Sequence, residues 1–177
     1  MSERVYSETD PIYQGFMERQ LAEGIALTEA SDILRLHVAP MTPPHFVAEF
    51  FCKGLIKEAN GEIKEANSFQ VGIWFPQDYL RRADPFEMLR VFTPRIWHPN
   101  ISVDLPMICV GRITAGTPLV DILYQVYEII SYQKYNPRED DSLNRFACAW
   151  ARENRHRLPT DRRPLKRRPL RLEVQAL

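Results

Sequence analysis

Apolar positions change period several times along the chain. Ile12, Phe16 and Leu21 recur at roughly helical spacing behind Asp10-Pro11, an N-cap followed by proline at the first helical position, and predict a first helix. The period then shortens to two. Leu34, Leu36 and Val38 alternate with polar or small residues, as do Phe46, Ala48 and Phe50, and then Phe69, Val71, Ile73 and Phe75, which is the pattern of half-buried strands. Asn60-Gly61 marks a hairpin between the second and third runs, and Leu89 with Val91 suggests a fourth strand. The echo of Lys57-Glu58-Ala59-Asn60 in Lys64-Glu65-Ala66-Asn67 is too short for a structural repeat and reads as a solvated hairpin tip. From Pro94 to Gly116 no period is sustained. Pro118 then opens a helical pattern (Leu119, Ile122, Leu123, Val126, Ile130), and Leu143, Phe146, Ala147, Trp150 and Ala151 define another. The order predicts an α+β domain: N-terminal helix, four-stranded antiparallel meander, long loop, two C-terminal helices. Loops longer than roughly 12 to 15 residues in a compact domain are commonly functional, which directs attention to 94–116.

Composition bounds this picture. The 177 residues, 45% hydrophobic, suffice for one domain with its own core and leave little room for a second. Formal net charge is zero, yet between Arg152 and Leu172 nine Lys/Arg stand against two acids. We therefore divide the chain into a domain over 1–158 and a basic Pro/Arg-rich tail over 159–177. The tail carries Arg162-Arg163-Pro164-Leu165-Lys166 and then Arg167-Arg168-Pro169-Leu170-Arg171, a five-residue tandem whose prolines oppose helix and whose cations resist burial, so a flexible segment is expected. Its functional options are docking on an acidic partner or weak nucleic-acid binding, and the scarcity of aromatics argues against nucleic acid. No apolar run reaches the roughly 20 residues of a membrane span, and the N-terminus lacks the layout of a secretory signal; a cytoplasmic protein is expected. Cys52, Cys109 and Cys148 are widely spaced and suggest neither a disulfide framework nor a zinc site.

Chemistry concentrates in the loop. Trp97-His98-Pro99-Asn100 is followed by Met107-Ile108-Cys109-Val110, which brings a thiol and a carboxamide into one irregular segment. Taken alone, Cys109 is as well explained as a small buried hydrophobe. Its context changes that. Phe75-Pro76-Gln77-Asp78-Tyr79 resembles the F-P-x-x-Y stretch of the ubiquitin-conjugating family, Phe92-Thr93 to Asn100 its F-x-T-x-x-x-H-P-N segment, and Ile108-Cys109 its active site. Thr117-Pro118-Leu119 resembles the family's S-P-A turn, and Asn136-Pro137 with Asp140-Asp141-Ser142-Leu143 its N-P-x-D-D-P-L segment. The resemblance spans roughly residues 10 to 157, with five motifs in the family's order.

Departures limit what carries over. The G-x-F signature before Phe69 is absent, and Gly116 stands about where the family has tryptophan. The step from Asn100 to Cys109 is one residue longer than usual, with Leu105-Pro106 near the usual glycine. About four extra residues separate Tyr79 from His98, in a loop the family uses for ligases. Such divergence resembles bacterial conjugating enzymes that accompany ubiquitin-like proteins in antiphage operons.

The resemblance implies an enzyme that accepts a ubiquitin-like modifier from an ATP-dependent activating enzyme as a Cys109 thioester and passes it to a target lysine. It implies no metal or small cofactor, and a ligase as a further option among partners. An ordinary thiol suffices for a reversible carrier, because nucleophilicity falls as a thiol's pKa is lowered. Asn100 is implied to stabilise the tetrahedral oxyanion or to hold the loop; a turn-forming asparagine is the bland reading. His98 and Pro99 are implied to support the site structurally. Asp141, with Asp140 as the fallback, is implied to orient the incoming lysine, and without the family Asp140-Asp141-Ser142 reads as an N-cap for the last helix. The seven glycines form no phosphate-binding loop, so ATP chemistry would lie with a partner. The runner-up function is an inactive adaptor of the same fold, though such variants typically lack the cysteine.

Overall fold

The computed structural model describes residues 10–41 and 43–167; the second half of the basic tandem lies outside the described residues except for Arg167. Helix α1 (Pro11–Glu29) starts where the Asp10 carboxylate accepts from the amides of Ile12 and Tyr13 at 2.9 and 3.4 Å, satisfying donors that a helix start leaves free. Its core face differs from the expected stripe. Ile12 is 73% exposed, while Tyr13, Phe16, Met17, Gln20 and Leu27 face inward. Gln20 obscures this face in the sequence: it is fully buried, donates to the Phe16 carbonyl at 3.3 Å and accepts from the Leu119 amide at 2.7 Å.

Six strands follow: β1 (Leu34–Ala39), β2 (His45–Phe50), β3 (Gly54–Lys57), β4 (Ile63–Ala66), β5 (Phe69–Ile73) and β6 (Leu89–Val91). β1, β2, β5 and β6 form the expected four-stranded antiparallel sheet in that order, and β3 pairs with β4 as the hairpin around Asn60-Gly61. Phe50 faces Phe69 and Gly54 faces Ala66, so residues 51–53 of one arm lie opposite 67–68 of the other, and the ladder breaks there. Gly54 fits this crowded turn because a Cβ would lie 2.6 Å from the Phe69 ring and 2.9 Å from the Ile130 carbonyl. Phe46, Ala48, Phe50, Phe69, Val71 and Ile73 bury the inner face of the sheet.

A four-residue helix, α2 (Pro85–Met88), capped by Asp84, occupies the stretch between Tyr79 and His98 that is longer than the family pattern. Helix α3 (Leu119–Ile130) packs its apolar face inward and stacks Tyr127 on Phe50. Helix α4 (Arg145–Glu153) is capped by Asn144, which accepts from the Ala147 amide at 2.9 Å. Asp140-Asp141-Ser142 is therefore not its cap; Glu139–Asp141 form a 3-10 turn just before it.

The first part of the basic tail is not detached, contrary to expectation. Leu165 is 1% exposed within the core. The Asp161 carboxylate accepts from the Lys53 amide at 3.1 Å, at the broken ladder, and pairs with Arg163, whose carbonyl accepts from the Tyr127 hydroxyl at 2.6 Å. Arg163 also donates to the Phe51 carbonyl at 2.9 Å, and the Arg167 amide donates to Ala30 at the end of α1 at 2.8 Å. Between 161 and 167 burial is confined to Asp161 and Leu165; Arg162, Arg163, Lys166 and Arg167 stay exposed, and Arg163 and Arg167 donate to the Asp161 carboxylate and to backbone carbonyls. Among the described residues no helix is long and apolar enough to cross a membrane.

Candidate active site

The loop from Pro94 to Gly116 has little regular structure but is tightly tied. Ile56 bridges to Ile96 and Ile101 to Ile108, and the Trp97 amide donates to Leu55 at 2.8 Å. His98 is wholly buried with its ring 4.4 Å from that of Tyr132, and its Nδ1 accepts from the Asn100 amide at 3.0 Å. Burial drives its pKa down to about 3, the Lys134 carbonyl opposing only in part, so the ring is neutral and bears its proton on Nε2. Pro99 accepts from the Asn144 amide at 3.0 Å, which fixes the start of α4 against this segment.

Asn100 is the clasp of the site. The Cys109 amide donates to the Asn100 carbonyl at 2.8 Å, while Asn100 Nδ2 donates to the Cys109 carbonyl at 2.9 Å. Asn100 Oδ1 accepts from the Asn136 amide at 2.8 Å. One partner can only accept and the other only donate, which determines the orientation of the carboxamide. Asn136, part of the Asn136-Pro137 motif but without a role expected from the sequence, belongs to the same network. Its Nδ2 donates to the Asp141 carboxylate at 3.2 Å and to the Asp141 carbonyl at 3.1 Å. Tyr132 makes the chain reversal that delivers this loop, with a left-handed φ of 55° and its hydroxyl bonded to the Trp97 carbonyl.

Cys109, Asn100 and Asp141 thus line one groove, of about 640 Å³, together with Glu128 of α3. Asp140 does not share it; its carboxylate pairs with Arg138 at 3.0 Å. Of the three cysteines, Cys52 and Cys148 are buried and Cys109 is partly exposed. No histidine lines the groove, so the residues do not assemble a Cys-His dyad there. No family model and no curated protein matches the chain. What the site can do is therefore read from its own geometry: a partly exposed cysteine, its backbone held by a neutral amide, shares an open groove with the Asp141 and Glu128 side chains.

The departures from the family pattern have local causes. Gly116 adopts φ 80° in the turn where the Thr117 amide donates to Thr114 at 3.1 Å, a conformation tryptophan would find strained. The hydroxyl of buried Tyr79 donates to the Thr117 carbonyl at 2.8 Å, so the Phe75–Tyr79 stretch and this turn are braced together.

Proposed function

We propose that the chain is a ubiquitin-conjugating-type acyl carrier, which takes a ubiquitin-like modifier from an activating enzyme and transfers it to a lysine. The observation that carries this reading is the meeting of Cys109, Asn100 and Asp141 in one groove, although they span 42 residues of sequence. The α+β order of elements is compatible with the conjugating fold and supports it in kind.

In the first step the Cys109 thiolate attacks the modifier's terminal acyl carbon, a new C–S bond forms, and the activating enzyme's thiolate departs. In the second, a neutral lysine amine attacks that carbon, the tetrahedral intermediate collapses to an amide, and the Cys109 thiolate leaves. The amine's proton passes to solvent or Asp141. At neutral pH a lysine with a pKa near 10.4 is almost wholly protonated, so desolvation in the groove has to raise the share of neutral amine against the Asp141 carboxylate, which favours the ammonium; Asp141 contributes by orienting the amine and accepting its proton. Asn100 acts first as loop support, because both ends of its amide are engaged; its second N–H is what remains for an oxyanion. Asn136 holds the Asp141 carboxylate toward the groove, and His98 serves as a neutral internal strut with Pro99. Departures such as Gly116 fit the divergent bacterial members resembling antiphage conjugating enzymes.

The test is a reductant-sensitive adduct. Incubated with activating enzyme, ATP and a ubiquitin-like protein, the wild type should gain a covalent adduct that thiol removes, and Cys109→Ala should not. An adduct formed equally by Cys109→Ala would defeat the assignment, whereas modifier binding without any adduct in the wild type would favour the adaptor reading.

A further inference from the structure

The chain is poor in amines that could take up an acyl group. Of its 23 Lys/Arg residues only five are lysine, Lys53, Lys57, Lys64, Lys134 and Lys166, and an arginine guanidinium stays charged and offers no free lone pair. Four of the five lie elsewhere. The Lys53 amide meets Asp161 at the broken ladder, Lys57 lies over the Trp97 ring at 4.6 Å, Lys64 pairs with Glu58 across the β3–β4 hairpin, and Lys166 belongs to the first part of the tail. Lys134 is the one lysine among the described residues that lines the groove of Cys109, Asn100 and Asp141.

Its backbone is fixed and its side chain is not. The Lys134 amide donates to the Glu128 carbonyl at 2.9 Å, and beside it the Gln133 carboxamide donates to the Asp161 carbonyl at 2.7 Å and to Ser131 Oγ at 3.1 Å. Those bonds hold the turn after α3 against the tail. The Lys134 side chain is 66% exposed, and its nitrogen pairs with the carboxylate of Glu128, which lines the same groove from the last turns of α3. An exposed ion pair of this kind holds weakly and opens readily. Lys134 is thus tethered at the groove by a contact that is easily undone.

We propose that Lys134 is a built-in acyl acceptor of this site, held in reserve by Glu128, and that its acylation shuts the groove. The proposal rests on the thioester-carrying role of Cys109. While the pair stands, the Lys134 nitrogen is engaged with α3. When the pair opens and the ammonium gives up a proton to solvent or to a groove carboxylate, the amine attacks the thioester carbonyl carbon, a C–N bond forms, the C–S bond breaks and the Cys109 thiolate leaves. A nucleophile carried on the same chain needs no encounter step, so this transfer competes whenever no outside acceptor is seated. The product, an amide on Lys134, does not return to the thiol by exchange and leaves its acyl chain across the groove that an acceptor needs. A carrier that stays loaded without a target is thereby retired.

The experiment uses a synthetic peptide thioester as acyl donor, which loads Cys109 by thiol exchange with release of its small thiol. The loaded full-length protein, freed of excess donor, is incubated without other amines, and peptide mapping follows the thioester at Cys109 and the amide at Lys134 over time. Amide should build up on Lys134 at a rate per loaded molecule that does not change with protein concentration, and Cys109→Ala should form none. Glu128→Gln should speed the transfer about two- to fivefold, the range that loss of one exposed ion pair permits, and Lys134→Arg should keep its thioester without forming amide. Thioester that decays by hydrolysis with Lys134 unmodified would overturn the proposal, as would amide spread equally over the other lysines, amide on Lys134 in Cys109→Ala, or a Glu128→Gln rate at or below that of the wild type. Absence of any thioester at Cys109 in the wild type would instead remove the carrier reading, and this proposal with it.

Discussion

Cys52 and Cys109 are the same residue in opposite settings. Cys52 lies fully buried where the β2–β5 ladder breaks, beneath the Asp161–Arg163 pair. Burial, reinforced by the Asp161 carboxylate and partly offset by Arg163, pushes its thiol up to about 12. Around Cys109 the bonds instead go to its backbone, from the Asn100 carbonyl and carboxamide nitrogen, and the partly exposed residue lines an open groove. At the broken ladder, polar groups close a gap in the core. At the loop, similar bonds hold backbone in shape so that a side chain stays free. The contrast teaches that hydrogen-bond density alone does not mark a reactive site; what matters is whether the network ends on the side chain or merely presents it.

The largest effect expected from this contrast is in thiol labelling. Under native conditions a maleimide should modify Cys109 at least about a thousandfold faster than Cys52 or Cys148, which react only through opening of the core. Intact-mass kinetics with single cysteine-to-serine variants read the ratio, and comparable rates for Cys52 and Cys109 would dissolve the comparison. Next in size is truncation after Leu158. It removes buried Leu165 and the Asp161 clamp, and should lower stability by about 3–5 kcal/mol, visible as a large fall in melting temperature. An unchanged melting temperature would mean that residues 159–167 do not pack on the core.

Asn100→Ala should load Cys109 but discharge onto lysine roughly ten- to a hundredfold more slowly in single turnover, because the loop loses its clasp while the thiol remains. Wild-type discharge by the folded variant would remove the supporting role of the amide. The smallest effect concerns acid. Asp161, hydrogen-bonded by Arg163 and the Lys53 amide against the opposing pull of burial, has its pKa lowered to about 2. A depressed carboxyl pKa adds stability above the unfolded value near 3.9 and loses it as pH falls toward 2, in total about 2 kcal/mol at most. Asp161→Asn should flatten the stability profile between pH 4 and 2 relative to wild type. A steeper fall in the variant would contradict this sign.

Much of the frame was legible because its signals are local. Period-two runs gave β1, β2 and β5, Asp10-Pro11 gave the start of α1, and Asn60-Gly61 gave the hairpin. The inward face of α1 was misread because buried Gln20 serves the Leu119 amide across the core, a pairing no local pattern reveals. The tail was misread for the same reason: Leu165 enters the core, and the exposed Arg163 is held by a carboxylate two residues away and a carbonyl 112 residues away. At the site, Cys109, Asn100 and Asp141 were named from motifs, and the structure brings them into one groove. Asn136 escaped notice because its work is done by its backbone amide and by a side chain aimed at a neighbour, neither of which spacing encodes. The role of Asp140-Asp141-Ser142 as a cap failed because Asn144 lies closer to the helix and does that work.

The central claim is that Cys109 carries an acyl group. Its most direct measurement is the intact mass of the protein after incubation with activating enzyme, ATP and a ubiquitin-like protein, followed by peptide mapping under conditions that preserve thioesters. The account predicts one added modifier, attached at Cys109, released by thiol reductant, retained in Cys52→Ala and lost in Cys109→Ala. An adduct on Cys52 or Cys148, or one that resists reductant and persists in Cys109→Ala, would contradict it.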